Sequence, residues 1–315
     1  MITNKYSLPL PLQVWLANDE YDGVADAKYI SATQILKPTR QTILSRRLPE
    51  ITSDISDYLA ASSGTAIHND IEHSWESDKL KNTLTKLGYP ESLVNNVEVN
   101  PETINKDKFQ IFMEKRAIKE FNGWKIGGKF DFVINGQLHD IKTTSVYTYI
   151  NDNHREDYIL QGSIYKWLNP DLITSDSLII NYVFTDWSST SAKGNPNYPQ
   201  VRAASREYPL LSLEAIEEII SNKLKELDDN LDKDEPIECP ESLLWFSDTV
   251  YKYYSDPTKV SGRATKNFTS LEEAHAYMLS QKKGKGIVIP VQGTPRRCQY
   301  CPAFEICSQR RKYYD

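Results

Sequence analysis

The 315-residue sequence has no apolar run long enough to cross a membrane, which excludes a transmembrane helix. Its first residues, MITNKYSLPLPLQVWLANDEYDG, lack the basic start and apolar block of a secretory signal, so a cytoplasmic location without a membrane partner is expected. There is no GxxxxGK[ST] phosphate loop, which argues against a nucleotide-driven motor in the same chain. Positive charge is not in excess: 37 Lys+Arg stand against 43 Asp+Glu, a net of −6. Cysteine is scarce, with four residues and none before Cys239. In a cytoplasmic chain of this length disulfides are not expected to organise the fold.

What is present describes a globular protein. Hydrophobic residues make up 39% and charged residues 25%, enough for a core, and the length suits one large domain or two modest ones. The charge is uneven: Asp256 to Asp315 holds 11 Lys+Arg against 5 Asp+Glu, a local excess of +6. Three of the four cysteines, Cys298, Cys301 and Cys307, fall within ten residues, a spacing that points to a metal or cluster.

Periodicity supplies a coarse order of elements. Tyr29–Leu36 and Gln41–Leu48 have helical stretches broken by Pro38, with Arg40, Arg46 and Arg47 read as a basic patch on solvated helix faces. Asp54–Leu87 reads as helical, with Ile55, Leu59, Ile67, Ile71 and Trp75 at roughly helical spacing and His68 and Glu72 on one face. Val97–Val99 is a short strand. Ile111–Glu120, Trp124–Ile134 and Gln137–Thr144 read as a three-stranded meander turned by Asn122-Gly123 and Asn135-Gly136. A helix follows at Arg155–Leu168, ended by Asn169-Pro170, then a buried strand at Ser177–Phe184. After a polar stretch with one more strand near Gln200–Ala204 comes an amphipathic helix, Leu213–Leu231, with Ser212 placed to cap it. The character changes after Pro236: an aromatic segment at Leu243–Tyr254, a short helix at Leu271–Ser280, a Lys/Gly turn and the cysteines. Residues 1–235 and 236–315 are therefore expected to form a core domain and a C-terminal subdomain.

The chemistry concentrates in Gly127–Ser145, GGKFDFVINGQLHDIKTTS. On a strand, Asp140 and Lys142 point one way and Ile141 the other, into a core. The Asn135-Gly136 hairpin can bring Asp131 beside Asp140, and two close carboxylates repel unless a cation lies between them. Oxygen ligands on a rigid sheet suit Mg²⁺ or Mn²⁺. A lysine beside that cation suits the extra negative charge of a phosphoryl transition state.

His68 in GTAIH, Asp131 in GGKFD, Asp140-Ile141-Lys142, and Gln161 with Tyr165 in QGSIY occur in an order that resembles the RecB-like nucleases of the PD-(D/E)xK superfamily. The resemblance implies an α/β restriction-endonuclease-like core, a mixed central sheet flanked by helices, with a cysteine-bearing C-terminal subdomain. It implies metal-dependent hydrolysis of DNA phosphodiesters, more as an exonuclease on single strands or ends than as an endonuclease. His68 and the Ile141 carbonyl would join Asp131 and Asp140 as ligands, Lys142 would position water and stabilise the transition state, and Gln161 and Tyr165 would line the groove. Cys298-x2-Cys301-x5-Cys307 is similar to the iron–sulfur branch of that family, which includes CRISPR-associated exonucleases. There a distant cysteine completes a 4Fe–4S site; here the one candidate is Cys239, after the core, and Zn²⁺ is the alternative. The partner implied is DNA, with companions in recombination, repair or CRISPR adaptation. Lys282, Lys283, Lys285, Arg296 and Arg297 would contact phosphates, and Trp245 or Tyr300 would stack on bases. The rival reading is a DNA-binding or scaffold protein with a degenerate core and a zinc-stapled C-terminus.

Overall fold

The computed structural model describes residues 2–18, 24, 26–49, 53–281 and 285–314. Two compact units divide them: Met1–Lys37 with Pro49–Asp228, and Pro38–Leu48 with Asp229–Asp315.

Among its described residues the first unit carries a short two-stranded sheet, Ile2–Thr3 beside Ser53–Asp54, and two further sheets that position the site. Its elements are β1 (Tyr29–Ser31), α1 (Leu59–Glu76), β2 (Val97–Val99), β3 (Phe109–Met113), β4 (Arg116–Phe121), β5 (Trp124–Lys129), β6 (Phe132–Ile134), β7 (Gln137–Thr144), α2 (Arg155–Leu168), β8 (Ser177–Phe184), β9 (Ala203–Pro209) and α3 (Leu213–Asp228). The larger sheet is mixed, in the order β9-β8-β7-β6-β3-β2, and the smaller is β1-β5-β4. β7 is central, parallel to β8 and antiparallel to β6. Helices flank this sheet, so the α/β architecture expected from the sequence is the one observed.

Both Asn-Gly dipeptides turn hairpins. Asn122 and Gly123 have φ of 48° and 76°, and Asn135 and Gly136 have 47° and 85°, the pair of positive values that a two-residue type I′ turn requires. The meander itself is corrected. The two long strands expected at Ile111–Glu120 and Trp124–Ile134 each break in the middle, at Glu114-Lys115 and at Phe130-Asp131. On one side of the break Met113 pairs with Phe132 in the larger sheet; on the other Arg116 pairs with Lys129 in the smaller. Glu114 takes a φ of 51° there, and its N–H donates to the Asp131 carbonyl at 3.1 Å, which holds the two strands together as they change sheet. The single helix expected over Asp54–Leu87 is likewise split, into a 3₁₀ turn at Ile55–Tyr58, α1, and a helix at Leu80–Lys86.

Ile111, Met113, Phe132 and Ile141 form one core cluster, with Ile71 and Trp75 of α1 packed on it. α2 covers the sheet with Tyr158, Gly162, Ile164, Tyr165 and Trp167 buried. α3 is capped by Ser212 Oγ, which accepts from Ala215 N–H at 3.2 Å, and buries Ile216, Ile220, Leu224 and Leu227 as one apolar stripe.

The second unit has a three-stranded sheet, β11-β10-β12, built from β10 (Val250–Tyr254), β11 (Lys266–Phe268) and β12 (Ile287–Val291), with α4 (Leu271–Ser280). The helix Thr39–Arg46 belongs to it. Arg40, expected on a solvated face, is instead buried at 3% exposure. Among the described residues no helix is long and apolar enough to cross a membrane.

Candidate active site

β7 sets the geometry. Ile141 is buried in the core cluster, and its neighbours Asp140 and Lys142 project to the other face. A slip of one residue would exchange these faces, so burial of Ile141 fixes the register of the motif. Asp140 is 3% exposed, and its Oδ2 lies 2.6 Å from the Lys142 ammonium. Apart from that ammonium, Oδ2 is enclosed without a hydrogen-bond donor in good geometry among the described residues.

Asp131 stands at the strand break just before β6. Its Oδ2 accepts the Ile141 N–H at 2.7 Å and lies 3.5 Å from His68 Nδ1. His68 is brought in by α1, which anchors on the core through Ile71 and Trp75. One turn earlier the helix passes close to β7 at Gly64, where a Cβ would sit 3.1 Å from Thr143 Oγ1. A side chain there requires Thr143 Oγ1 to give way by a few tenths of an ångström.

The third carboxylate is Glu114, at the matching break in the other strand. His68, Glu114 and Asp131 offer ligand atoms that all lie within 4.8 Å of one another. Glu114 also pairs with Lys129. The sequence reading missed Glu114, although an acid directly after the buried run Ile111-Phe112-Met113 signals that the strand has left its sheet.

The protonation preferences follow from the same crowding. Burial, and then the charge of Asp140, pushes the Asp131 carboxyl up to about 8, against the opposing pull of Lys142. Burial holds His68 below its ordinary value despite Asp140, so its ring is neutral and able to ligate at neutral pH. Burial opposes the charge on Lys142, but Asp140 and Asp131 more than offset it and keep the ammonium above its ordinary value. Glu72, one turn after His68, is raised by burial and then by Glu114 and Glu76. Three carboxylates, one of them with an enclosed oxygen short of donors, and an imidazole make a donor set that fits a hard divalent cation.

α2 closes the other side. Tyr158, Gln161 and Tyr165 lie along one stripe of that helix. Gln161 Nε2 donates to Tyr165 Oη at 2.7 Å. Burial, and then Asp140, raises the Tyr165 phenol above its ordinary value. The Tyr158 ring centroid is 6.0 Å from Lys142 Nζ, a neighbour the sequence reading left unused. The structure thus gathers His68, Asp131, Asp140, Ile141, Lys142, Gln161 and Tyr165 and adds Glu114.

The cysteines are all in the second unit, each a half-buried thiol. Burial, and then Cys307, Cys301 and Cys298, pushes the Cys239 thiol up to about 11. The Gln309 side chain clamps Cys239, accepting its N–H at 2.8 Å and donating to its carbonyl at 2.9 Å. Of the residues expected to meet DNA, Lys282 and Lys283 lie outside the described residues. Arg297 stacks on Trp245 at 4.3 Å and donates to the Leu243 carbonyl, while Tyr300 is 77% exposed.

No protein-family profile and no curated protein matches this sequence. Among solved structures the chain is similar to SSO0001, at 18% identity over 68% of this chain and 83% of that one, with a TM-score of 0.42. It is also similar to a phage-related exonuclease from Haemophilus somnus 129PT, at 16% identity over 51% of this chain and 71% of that one, with a TM-score of 0.29.

Proposed function

We propose that this chain is a metal-dependent deoxyribonuclease, an exonuclease acting on single strands or DNA ends. The observation that carries the proposal is the grouping of His68, Glu114 and Asp131, whose ligand atoms lie within 4.8 Å of one another, with the Asp140–Lys142 pair acting electrostatically on Asp131 and His68. The carboxylates and imidazole would hold Mg²⁺ or Mn²⁺, with the Ile141 carbonyl as a further oxygen. The imidazole favours Mn²⁺ over the harder Mg²⁺. The bound ion supplies Lewis acidity and water of lowered pKa. Lys142, held cationic by its two acids, stabilises the charge that develops on the phosphate. Gln161 and Tyr165, joined by their hydrogen bond, orient Lys142 and the strand being cut.

The four cysteines are proposed to hold a metal group with a structural role. Cys307, Cys301 and Cys298 each act electrostatically on the Cys239 thiol, and the group is proposed as a 4Fe–4S cluster, with Zn²⁺ as the alternative.

The test is cleavage of end-labelled single- and double-stranded DNA with Mn²⁺, Mg²⁺ or EDTA, comparing wild type with Asp140→Asn. Release of mononucleotides that needs a divalent ion and disappears in the variant is expected. Equal cleavage by the variant would remove the reaction from this site.

A further inference from the structure

Arg40 is the residue whose surroundings the proposed reaction leaves unexplained. Its guanidinium is 3% exposed, inside the second unit. Nε donates to Cys307 Sγ at 3.3 Å, and Nη1 donates to the Pro236 carbonyl at 2.5 Å. Nη2 donates to Ser308 Oγ at 2.8 Å and to the Glu235 carboxylate. Four of the five N–H directions of a guanidinium are therefore used. Burying an arginine this far is costly unless each donor finds an acceptor. A neutral thiol is a weak acceptor, whereas a metal-bound thiolate is a strong one. Four thiolates around either Zn²⁺ or a 4Fe–4S core leave net negative charge, which a guanidinium in hydrogen-bond contact offsets.

The contact also spans the chain. Arg40 and Cys307 are 267 residues apart in sequence. No cysteine lies in the N-terminal part of the chain, so the helix Thr39–Arg46 reaches the cysteine region through an arginine donor and not through a ligand. Arg47 repeats the theme by donating to the carbonyls of Leu231, Lys233 and Asp234.

We infer that Arg40 is a positioning residue of the cysteine site: its N–H to Cys307 Sγ stabilises a metal-bound sulfur and ties the Thr39–Arg46 helix to whatever the four cysteines hold. This rests on the reading of the cysteines as ligands. Removing the donor loosens the metal, and removing the metal loosens the helix. For an iron–sulfur cluster, losing an N–H···S bond with its positive charge also makes the reduction potential more negative.

The experiment compares wild type with Arg40→Gln, Arg40→Lys and Glu235→Gln, purified anaerobically as full chains. Iron, acid-labile sulfide and zinc are counted per chain. Loss of metal to EDTA is timed, the reduction potential is measured where iron is present, and hydrogen exchange is followed over Thr39–Leu48. Glu235→Gln keeps the sulfur donor and serves as the control for general disruption. The expected result is metal loss faster by about 10- to 100-fold in Arg40→Gln, partial rescue in Arg40→Lys and little change in Glu235→Gln. Exchange at Thr39–Leu48 rises in stripped wild type. Metal-loaded wild type with Arg40→Gln unchanged in release and potential overturns this inference and leaves the metal reading standing. Wild type that holds neither iron nor zinc overturns the metal reading and this inference with it. Should Arg40→Gln fail to fold, Arg40→Lys decides by the same two readouts.

Discussion

The two units solve one problem with opposite materials. The first gathers carboxylates and an imidazole on a rigid sheet, where Ile141, Met113 and Phe132 lock the backbone beneath them. The second gathers thiols on short turns, where Gln309 and Arg40 do the holding by hydrogen bonds. Hard oxygen donors and soft sulfur donors sort their metals by chemistry, so the two sites need not compete for one ion. The packed site tolerates few changes because Asp140 and Ile141 are buried in the sheet that carries it. Under the proposal above, the looser site takes its order from its metal.

That contrast can be broken most sharply at Asp140. Asp140→Asn keeps the shape but removes the charge that serves both cation and Lys142. A fall on the order of 10³-fold in the cleavage rate is expected, with the iron or zinc content of the second unit unchanged; concerted loss of both would show that the sites are not independent.

Next comes pH. In the folded, metal-free protein the Asp131 carboxyl is raised to about 8 by burial and Asp140, whereas the unfolded chain releases that proton near pH 4. The folded state therefore binds the extra proton, and stability falls as pH rises through that window, levelling above it. Denaturant unfolding with EDTA should lose roughly 2 kcal/mol between pH 6 and 8. Asp131→Asn should flatten that slope, and Mn²⁺ should flatten it by replacing the proton. A slope that persists in Asp131→Asn would assign it elsewhere.

His68→Ala removes one ligand and should raise the Mn²⁺ concentration for half-maximal activity by about 10-fold, read from a metal titration. The smallest effect belongs to the thiols. Cys301→Ser should lower the thermal midpoint of the metal-loaded protein by about 2–4 °C while leaving the cleavage rate within twofold; a large loss of rate would give the cysteines a part in the chemistry.

What the sequence made legible follows from local rules. Asn-Gly turns, the alternation around Ile141 and the pair Gln161 with Tyr165 each depend on a few adjacent residues, and each appears in the structure. The break at Phe130-Asp131 was hidden because Phe130 and Phe132 on either side of it are both buried, whereas the charged run Glu114-Lys115-Arg116 after Met113 marks the other. Only the presence of two sheets, a tertiary fact, demands that the chain step across. Glu114 was missed because it belongs to no recognised motif, although the charge directly after Met113 marked the step. Arg40 was misread because nothing near it in sequence announces a partner 267 residues away.

The step itself has a geometric consequence. Glu114 and Asp131 sit opposite each other where a pair of strands passes from the larger sheet to the smaller, bridged by one backbone hydrogen bond. The gap between those two acids is thus a gauge of the dihedral angle between the sheets. Lengthening the hairpin tip at Asn122-Gly123 leaves that angle alone, whereas one residue added beside Lys115 or Phe130 would open or shut the jaws.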